Sequence, residues 1–359
     1  MNKALFLLLG LGWLSPVAAQ TVPARELISE GVRLYDAGKY DDAIAKYQQA
    51  LATEPGNITA LSELALTYNE LERDAEAVAI CQKLVKADPR VSETVYVTYG
   101  NSLDALKKPR EAARIYEQGL NYFPDSYLLH YNEGVAQVRN EQVPPGIANF
   151  QQAITLNPNH ASSHLSLGVM QTATDHRIPG LLALGRFLIL EPRGARATQR
   201  LPMLDKAMSL GVSRTGEHAI SINISSAALA GSNGKENGPD NFGPAEMLLA
   251  ISSAAMLDKS LNKDVPPPTT AIERFSRQFD SLCKGLGELA GNQKGFTWNY
   301  YVPYFVEMQK KGFVPAFSYL SHASQTDVPE VQQWLTAHPN EVAVFQEWSK
   351  NYLWPKPLK

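Results

Sequence analysis

Between Ala24 and Asn57, apolar and small residues recur at helical spacing in two bursts. Leu27, Gly31 and Leu34 form the first, Tyr40, Ala43, Tyr47 and Ala50 the second, and Pro55 closes the segment. Residues three or four apart share one face of a helix, so the pattern predicts two amphipathic helices joined by a turn. The segment then repeats. Prolines close it at Pro55, Pro89, Pro124, Pro158 and Pro192, with separations of 34, 35, 34 and 34 residues. A period of this length marks a stack of helix pairs, each burying its apolar face on the next.

The equivalent positions can be followed down the chain. The second segment supplies Leu61, Leu64, Ala65, Tyr68, Ala77, Cys81 and Val85, and the third supplies Tyr96, Tyr99, Gly100, Leu103, Ala112, Tyr116 and Gly119. The fourth keeps Gly134, Phe150 and Ala153, and the fifth keeps Leu167 and Gly168, but Gly146 and Gly180 stand where the first three segments have Ala. Pro145 and Pro179 precede those glycines at the start of the second helix, where a missing N–H is tolerated. In this placing of small and large residues the chain resembles the tetratricopeptide repeat family. The resemblance implies an all-α fold: a right-handed superhelical solenoid of about five helix-turn-helix repeats with a capping helix, followed by a smaller helical C-terminal module for which no family likeness is seen.

The resemblance also implies that function lies on the inner surface, at first-helix positions that packing leaves free. Those positions are Ile28, Val32 and Tyr35; Leu66 and Asn69; Val97 and Asn101; Tyr131, Asn132, Val135 and Val138; Leu165 and Val169. They are largely aliphatic with scattered Tyr and Asn, a surface suited to a helix or an extended peptide. One subgroup of the family grips a terminal carboxylate with Lys, Arg and Asn at such points. Here Asn101 alone matches and no Lys lines the face, so a carboxylate clamp is not expected.

The ends of the chain add context. Lys3, an apolar run from Ala4 to Leu14 and the small residues Val17-Ala18-Ala19 read as a secretory signal peptide over residues 1–19, cleaved after Ala19. A periplasmic or secreted product follows, without an integral membrane span. Residues 22–194 are assigned to the repeats, 195–211 to a closing helix containing Met203, Leu204, Ala207 and Met208, and 212–243 to a connection with a strand over His218–Ser225. Residues 244–359 form the helical, aromatic-rich part. Its helices are expected from Pro244 through Met247, Leu248, Ile251 and Met256, and from a Thr269 or Thr270 cap through Ile272, Phe275, Phe279, Leu282 and Leu286. Fourteen aromatic residues fall between Phe296 and Trp354, a density that predicts short helices packed by large rings.

Composition narrows the function. The chain has 359 residues, 44% of them hydrophobic and 19% charged, and its formal charge of −3 carries no basic stripe, so nucleic acid is not an expected partner. Cys81 and Cys283 are the sole cysteines, too few for a disulfide framework. Phosphate-cradling loops, nucleophile elbows and His-Glu-x-x-His pairs are missing, and His160 with His164 lacks a third ligand. No catalytic residue, metal or cofactor is assigned. Of the remaining histidines, His322 and His338 stand near Asp327, Glu330 and Glu341, a set that would permit acid–base chemistry if it converged on a pocket. Asn57-Ile-Thr59 and Asn223-Ile-Ser225 fit the glycosylation acceptor pattern.

Three functions stay open on these grounds. The first is a non-enzymatic adaptor or scaffold holding a polypeptide in the repeat groove. In the second, the C-terminal part is an enzyme or glycan-binding domain supported by the repeats. In the third, the groove is filled by the protein's own C-terminal half. Oligomeric state is not legible.

Overall fold

The computed structural model describes residues 22–209, 212–214, 220–222, 240–257 and 268–355. The expected signal peptide and the Asn223 acceptor lie outside the described residues. Chain contacts divide the molecule into residues 1–98 and 99–359, and each unit is described by itself.

In the first unit, α1 (Ala24–Asp36) pairs with α2 (Tyr40–Thr53), α3 (Ile58–Glu70) pairs with α4 (Asp74–Ala87), and α5 (Glu93–Ala105) carries the division between units. The core gathers Leu27, Ile44, Tyr47, Ala50, Leu64, Tyr68 and Ala77. Gly31 is required here, because an added Cβ would collide with the Tyr47 ring. Asn57 starts α3 by accepting the Ala60 N–H at 3.0 Å, and its amide donates to Glu54 at 2.7 Å.

The second unit continues with α6 (Pro109–Leu120), α7 (Tyr127–Arg139), α8 (Val143–Leu156), α9 (Ala161–Ala173), α10 (Arg177–Leu190) and α11 (Ala195–Ser209). Glycine replaces alanine in α8 and α10 for a steric reason. A Cβ on Gly146 would lie 2.6 Å from Val138 Cγ2 and 2.9 Å from the Gly134 carbonyl, and one on Gly180 would lie 2.5 Å from Thr172 Oγ1. In these pairs the backbones approach too closely for a methyl group.

The turn inside every repeat has one geometry. Gly38, Glu72, Lys107, Glu141 and Asp175 all have φ between 58° and 72°. The following N–H, on Lys39, Arg73, Lys108, Gln142 and His176, reaches back five residues to a helix carbonyl at 2.8–2.9 Å. This is a left-handed helix stop closed by a long backbone bond. Glycine suits it best, yet four of the five repeats hold a side chain there.

Two short strands follow, β1 (Val212–Arg214) and β2 (Ile220–Ile222), antiparallel with Val212 opposite Ile222. Of the strand expected over 218–225, residues 220–222 are described and form β2, and its partner β1 is too brief to leave a periodic signal. The chain continues with α12 (Gly243–Leu257), α13 (Ala271–Leu289), α14 (Phe296–Lys310), α15 (Val314–Ser321), α16 (Pro329–Ala337) and α17 (Pro339–Lys350). Thr270 caps α13 by accepting the Glu273 N–H at 3.2 Å, while Glu273 accepts the Thr269 N–H at 2.7 Å.

Helix α12 turns a different face inward from the one its large residues suggest. Met247, Leu248 and Ile251 are exposed, whereas Ala245, Leu249, Ala250 and Ala254 are buried. The anchor is Phe242, just ahead of the helix, which stacks on Trp298 with ring centroids 4.3 Å apart. Beside it Asp240 accepts the N–H groups of Thr297 and Trp298, at 2.8 and 3.2 Å, and so caps α14. Gly295, at φ 125°, leaves room for that carboxylate.

The core of this unit is continuous. One cluster runs from Phe150 and Leu167 through Leu184, Phe187 and Leu204 to Phe279, Tyr301, Phe317 and Phe345. Helix α10 is buried from Arg177 to Ile189 and packs on α9, α11, α12, α14 and α15. The sequence divisions at 194, 211 and 243 therefore have no counterpart in this core. The aromatic residues are mostly core too: Trp298, Tyr300, Tyr301, Tyr304, Phe305, Phe317 and Phe345 are buried and pack on one another.

Candidate functional site

In the first unit Ile28 is drawn into the core, while Val32, Tyr35, Leu66, Asn69 and Val97 are half-buried. The polar members already have partners. Asn69 donates to Asp74 at 2.9 Å, and Tyr35 hydrogen-bonds Glu70. Burial, and then the Glu70 charge, push the Tyr35 hydroxyl up to about 12. The Glu63 carboxyl is likewise raised, by burial first and by Asp36 second. This face therefore offers aliphatic contact beside negative charge from Asp36, Glu63 and Glu70.

In the second unit Asn101 does not present a free carbonyl, because its Oδ1 accepts the Tyr116 hydroxyl at 2.7 Å. Arg139 pairs with Asp104. The Tyr131 ring lies 4.9 Å from His160 and 6.0 Å from Phe150. Val138 presses on Gly146, and Leu165 packs on the continuous core. Asn132, Val135 and Val169 are half-buried. What survives as an accessible surface is mostly apolar, with Asn132 among the aliphatic residues. The sequence pattern leaves the Asn side chains available; bonds formed across 5 and 15 residues take Asn69 and Asn101 out of that role.

The C-terminal helices meet the repeats chiefly at α10 and α11. Tyr301 donates its hydroxyl to His164 Nδ1 at 2.6 Å, the His164 Nε2–H donates to the Pro158 carbonyl at 2.9 Å, and Tyr300 donates to the Ile154 carbonyl at 3.0 Å. Both nitrogens of His164 are thus committed, and burial, with the charge of Arg186, depresses its pKa to about 3. It is a neutral packing group. No cluster of three or more metal-ligating side chains occurs among the described residues.

His322 is buried at the edge of a cavity of about 290 Å³ bordered by Asp205, Arg274, Phe275 and Glu330. Its Nε2 faces Asp205 Oδ1 at 2.9 Å and its Nδ1 faces the Ser318 carbonyl at 2.7 Å. Ser321 Oγ, 3.1 Å from the ring, is fully buried and donates to the same carbonyl at 3.0 Å. His338 lies apart from it, stacked on Trp334 with centroids 4.3 Å apart and bonded to the Trp334 carbonyl at 2.9 Å. Glu330 holds the hydroxyls of Thr270 and Tyr319, at 2.7 and 3.1 Å. Asp327 and Glu341 are exposed.

Helix pairs of constant length, one turn geometry repeated at one position, and a tetratricopeptide repeat family model that matches residues 34–94 agree. Residues 34–94 thus match the tetratricopeptide repeat family. Residues of the chain are similar to DnaJ homolog subfamily C member 3 of Bos taurus, 25% identical over 127 residues, which are 33% of this chain and 23% of that protein. RNA polymerase II-associated protein 3 of Mus musculus is 31% identical over 101 residues, covering 28% of this chain and 15% of that one. The chain thus spans less than a quarter of these relatives' length. Among solved structures, PilF of Pseudomonas aeruginosa aligns over 50% of this chain and 80% of its own, with TM-score 0.46 and 19% identity. A thermophilic repeat protein of Thermus thermophilus aligns over 52% and 100%, with TM-score 0.44 and 20% identity. No helix among the described residues is long and apolar enough to cross a membrane.

Proposed function

We propose that this protein is exported and holds a polypeptide against the first-helix faces of its repeats, as an adaptor and not as an enzyme. The observation that carries the reading is the partition on those faces. Val32, Leu66 and Val97 in the first unit, and Tyr131, Val135 and Val169 in the second, stay half-buried, while Asn69 and Asn101 are satisfied internally. A helix or strand bringing apolar side chains finds contact there. In the first unit Asp36, Glu63 and Glu70 favour a guest with positive charge and repel a terminal carboxylate. Export rests on the Lys3 start, the apolar run and the small residues ending at Ala19.

The test uses the full-length protein with a photo-crosslinking residue at Leu66, at Val135, or at exposed Arg114 on α6. The first two are each expected to trap polypeptide that the third does not, and Val32→Arg in the Leu66 background, within the same unit, should reduce the Leu66 product. Equal trapping from Arg114 would refute the groove reading.

A further inference from the structure

Arg186, on α10, is fully buried, yet no carboxylate lies within ion-pair distance among the described residues. Its Nη1 donates to Ser349 Oγ at 2.5 Å and to the Tyr304 hydroxyl at 3.4 Å. Its Nη2 donates to Asn159 Oδ1 at 2.8 Å and to the Pro158 carbonyl at 3.5 Å. Every one of these acceptors is neutral. Its Nε–H has no acceptor, and neither has the indole N–H of Trp354, whose ring lies 5.1 Å from the guanidinium carbon. The Tyr304 ring, at 5.3 Å, adds a second aromatic face.

Aromatic faces attract a cation but do not cancel its charge. An uncompensated buried ion is among the costliest things a fold can contain, and such ions are normally paired. The guanidinium borders a cavity of about 320 Å³, floored by Ile189 and Leu190 and edged by Asn159, Gln346, Ser349 and the exposed Lys350. No carboxylate lines it, and two cations do.

We infer that this cavity is a binding site for a small oxyanion, a carboxylate or a phosphate, that supplies Arg186 with its missing counter-charge. The anion sits beside Arg186 and meets the Lys350 ammonium at the rim. Its effect is to stabilise the joint between α10 and α17, because both helices contribute lining residues. Arginine suits such a role because its charge persists at every physiological pH.

The experiment takes the full chain and follows thermal unfolding during titration with sodium phosphate, and separately with sodium acetate, each against sodium chloride at matched ionic strength. In parallel, the Nε–H resonance of Arg186 is monitored by NMR. The expected result is saturable stabilisation by at least one oxyanion, with movement of that resonance over the same concentrations. Lys350→Gln, which alters an exposed side chain and should leave the chloride melting curve unchanged, is expected to weaken the response about fivefold. The anion that saturates lower identifies the chemistry. Stabilisation no greater than chloride gives, an unmoved Arg186 resonance, or an unaltered response in Lys350→Gln would each overturn the site.

Discussion

Phe317→Ala would test whether repeats and C-terminal helices in the second unit share one core. Phe317 is fully buried on α15, with ring centroids 4.5 Å from Phe279, 5.9 Å from Phe305 and 6.1 Å from Phe275. It also touches α10 at Gly185, where an added Cβ would come within 3.3 Å of its ring. Removing a buried phenyl ring costs about 3–5 kcal/mol, the lost transfer free energy plus the cavity left behind. Because the Phe317 ring on α15 touches α10, α13 and α14, all four helices should lose stability together. In hydrogen exchange under conditions where opening is rapidly reversed, that destabilisation lowers protection about a hundredfold to several thousandfold. The measurement is exchange resolved by segment, comparing α9 and α10 with α13 to α15. Loss of protection in α13 to α15 while α10 exchanges as in the parent would refute the continuous core.

His164, held neutral with a pKa near 3 against 6.5 for an ordinary histidine, makes stability fall in acid. Between those values the unfolded chain binds a proton that the folded chain refuses, so unfolding free energy drops as pH falls below about 6.5, by up to about 1.4 kcal/mol per unit. Urea titrations from pH 7 to 5 should show about 2 kcal/mol of this loss, and His164→Gln should flatten the slope; an unchanged slope would refute the assignment. Tyr301→Phe leaves the buried His164 Nδ1 without its donor and should cost about 1–3 kcal/mol at neutral pH, read from urea midpoints. Lys107→Gly relieves a side chain held at φ 63° and should raise stability by about 0.5–1 kcal/mol; a lower melting point would contradict the strain.

The period of the prolines, the small residues and the helix starts were legible because each reports on contacts made within a few residues. Thr270 acts as a cap for the same reason. What escaped detection depends on partners far along the chain. Arg186 reads as one charge in an apolar helix, and only bonds spanning 118 and 163 residues reveal that it is buried. A signal for that burial was present, since Ile178-Pro-Gly-Leu-Leu-Ala-Leu-Gly-Arg-Phe-Leu-Ile-Leu190 is apolar all round, as a helix must be when covered on every side. Helix α12 misled in the opposite sense. Its larger residues suggested the buried face, but a stack between Phe242 and Trp298 decided the orientation. Of the binding face, the aliphatic positions were readable, whereas the engagement of Asn69 and Asn101 was not, because an amide's partner is set by side-chain geometry.

The cover over α10 also limits how such a chain can change length. A repeat duplicated ahead of α8 would meet another repeat on either side, and its surfaces are already shaped for that. One inserted behind α10 would have to reproduce the contacts that α10 makes with α11, α12, α14 and α15 at once. Growth of the array is therefore one-directional: lineages descended from this architecture should differ in the number of repeats near the N-terminus and keep the last helix pair, with the C-terminal helices that cover it, as an inherited block.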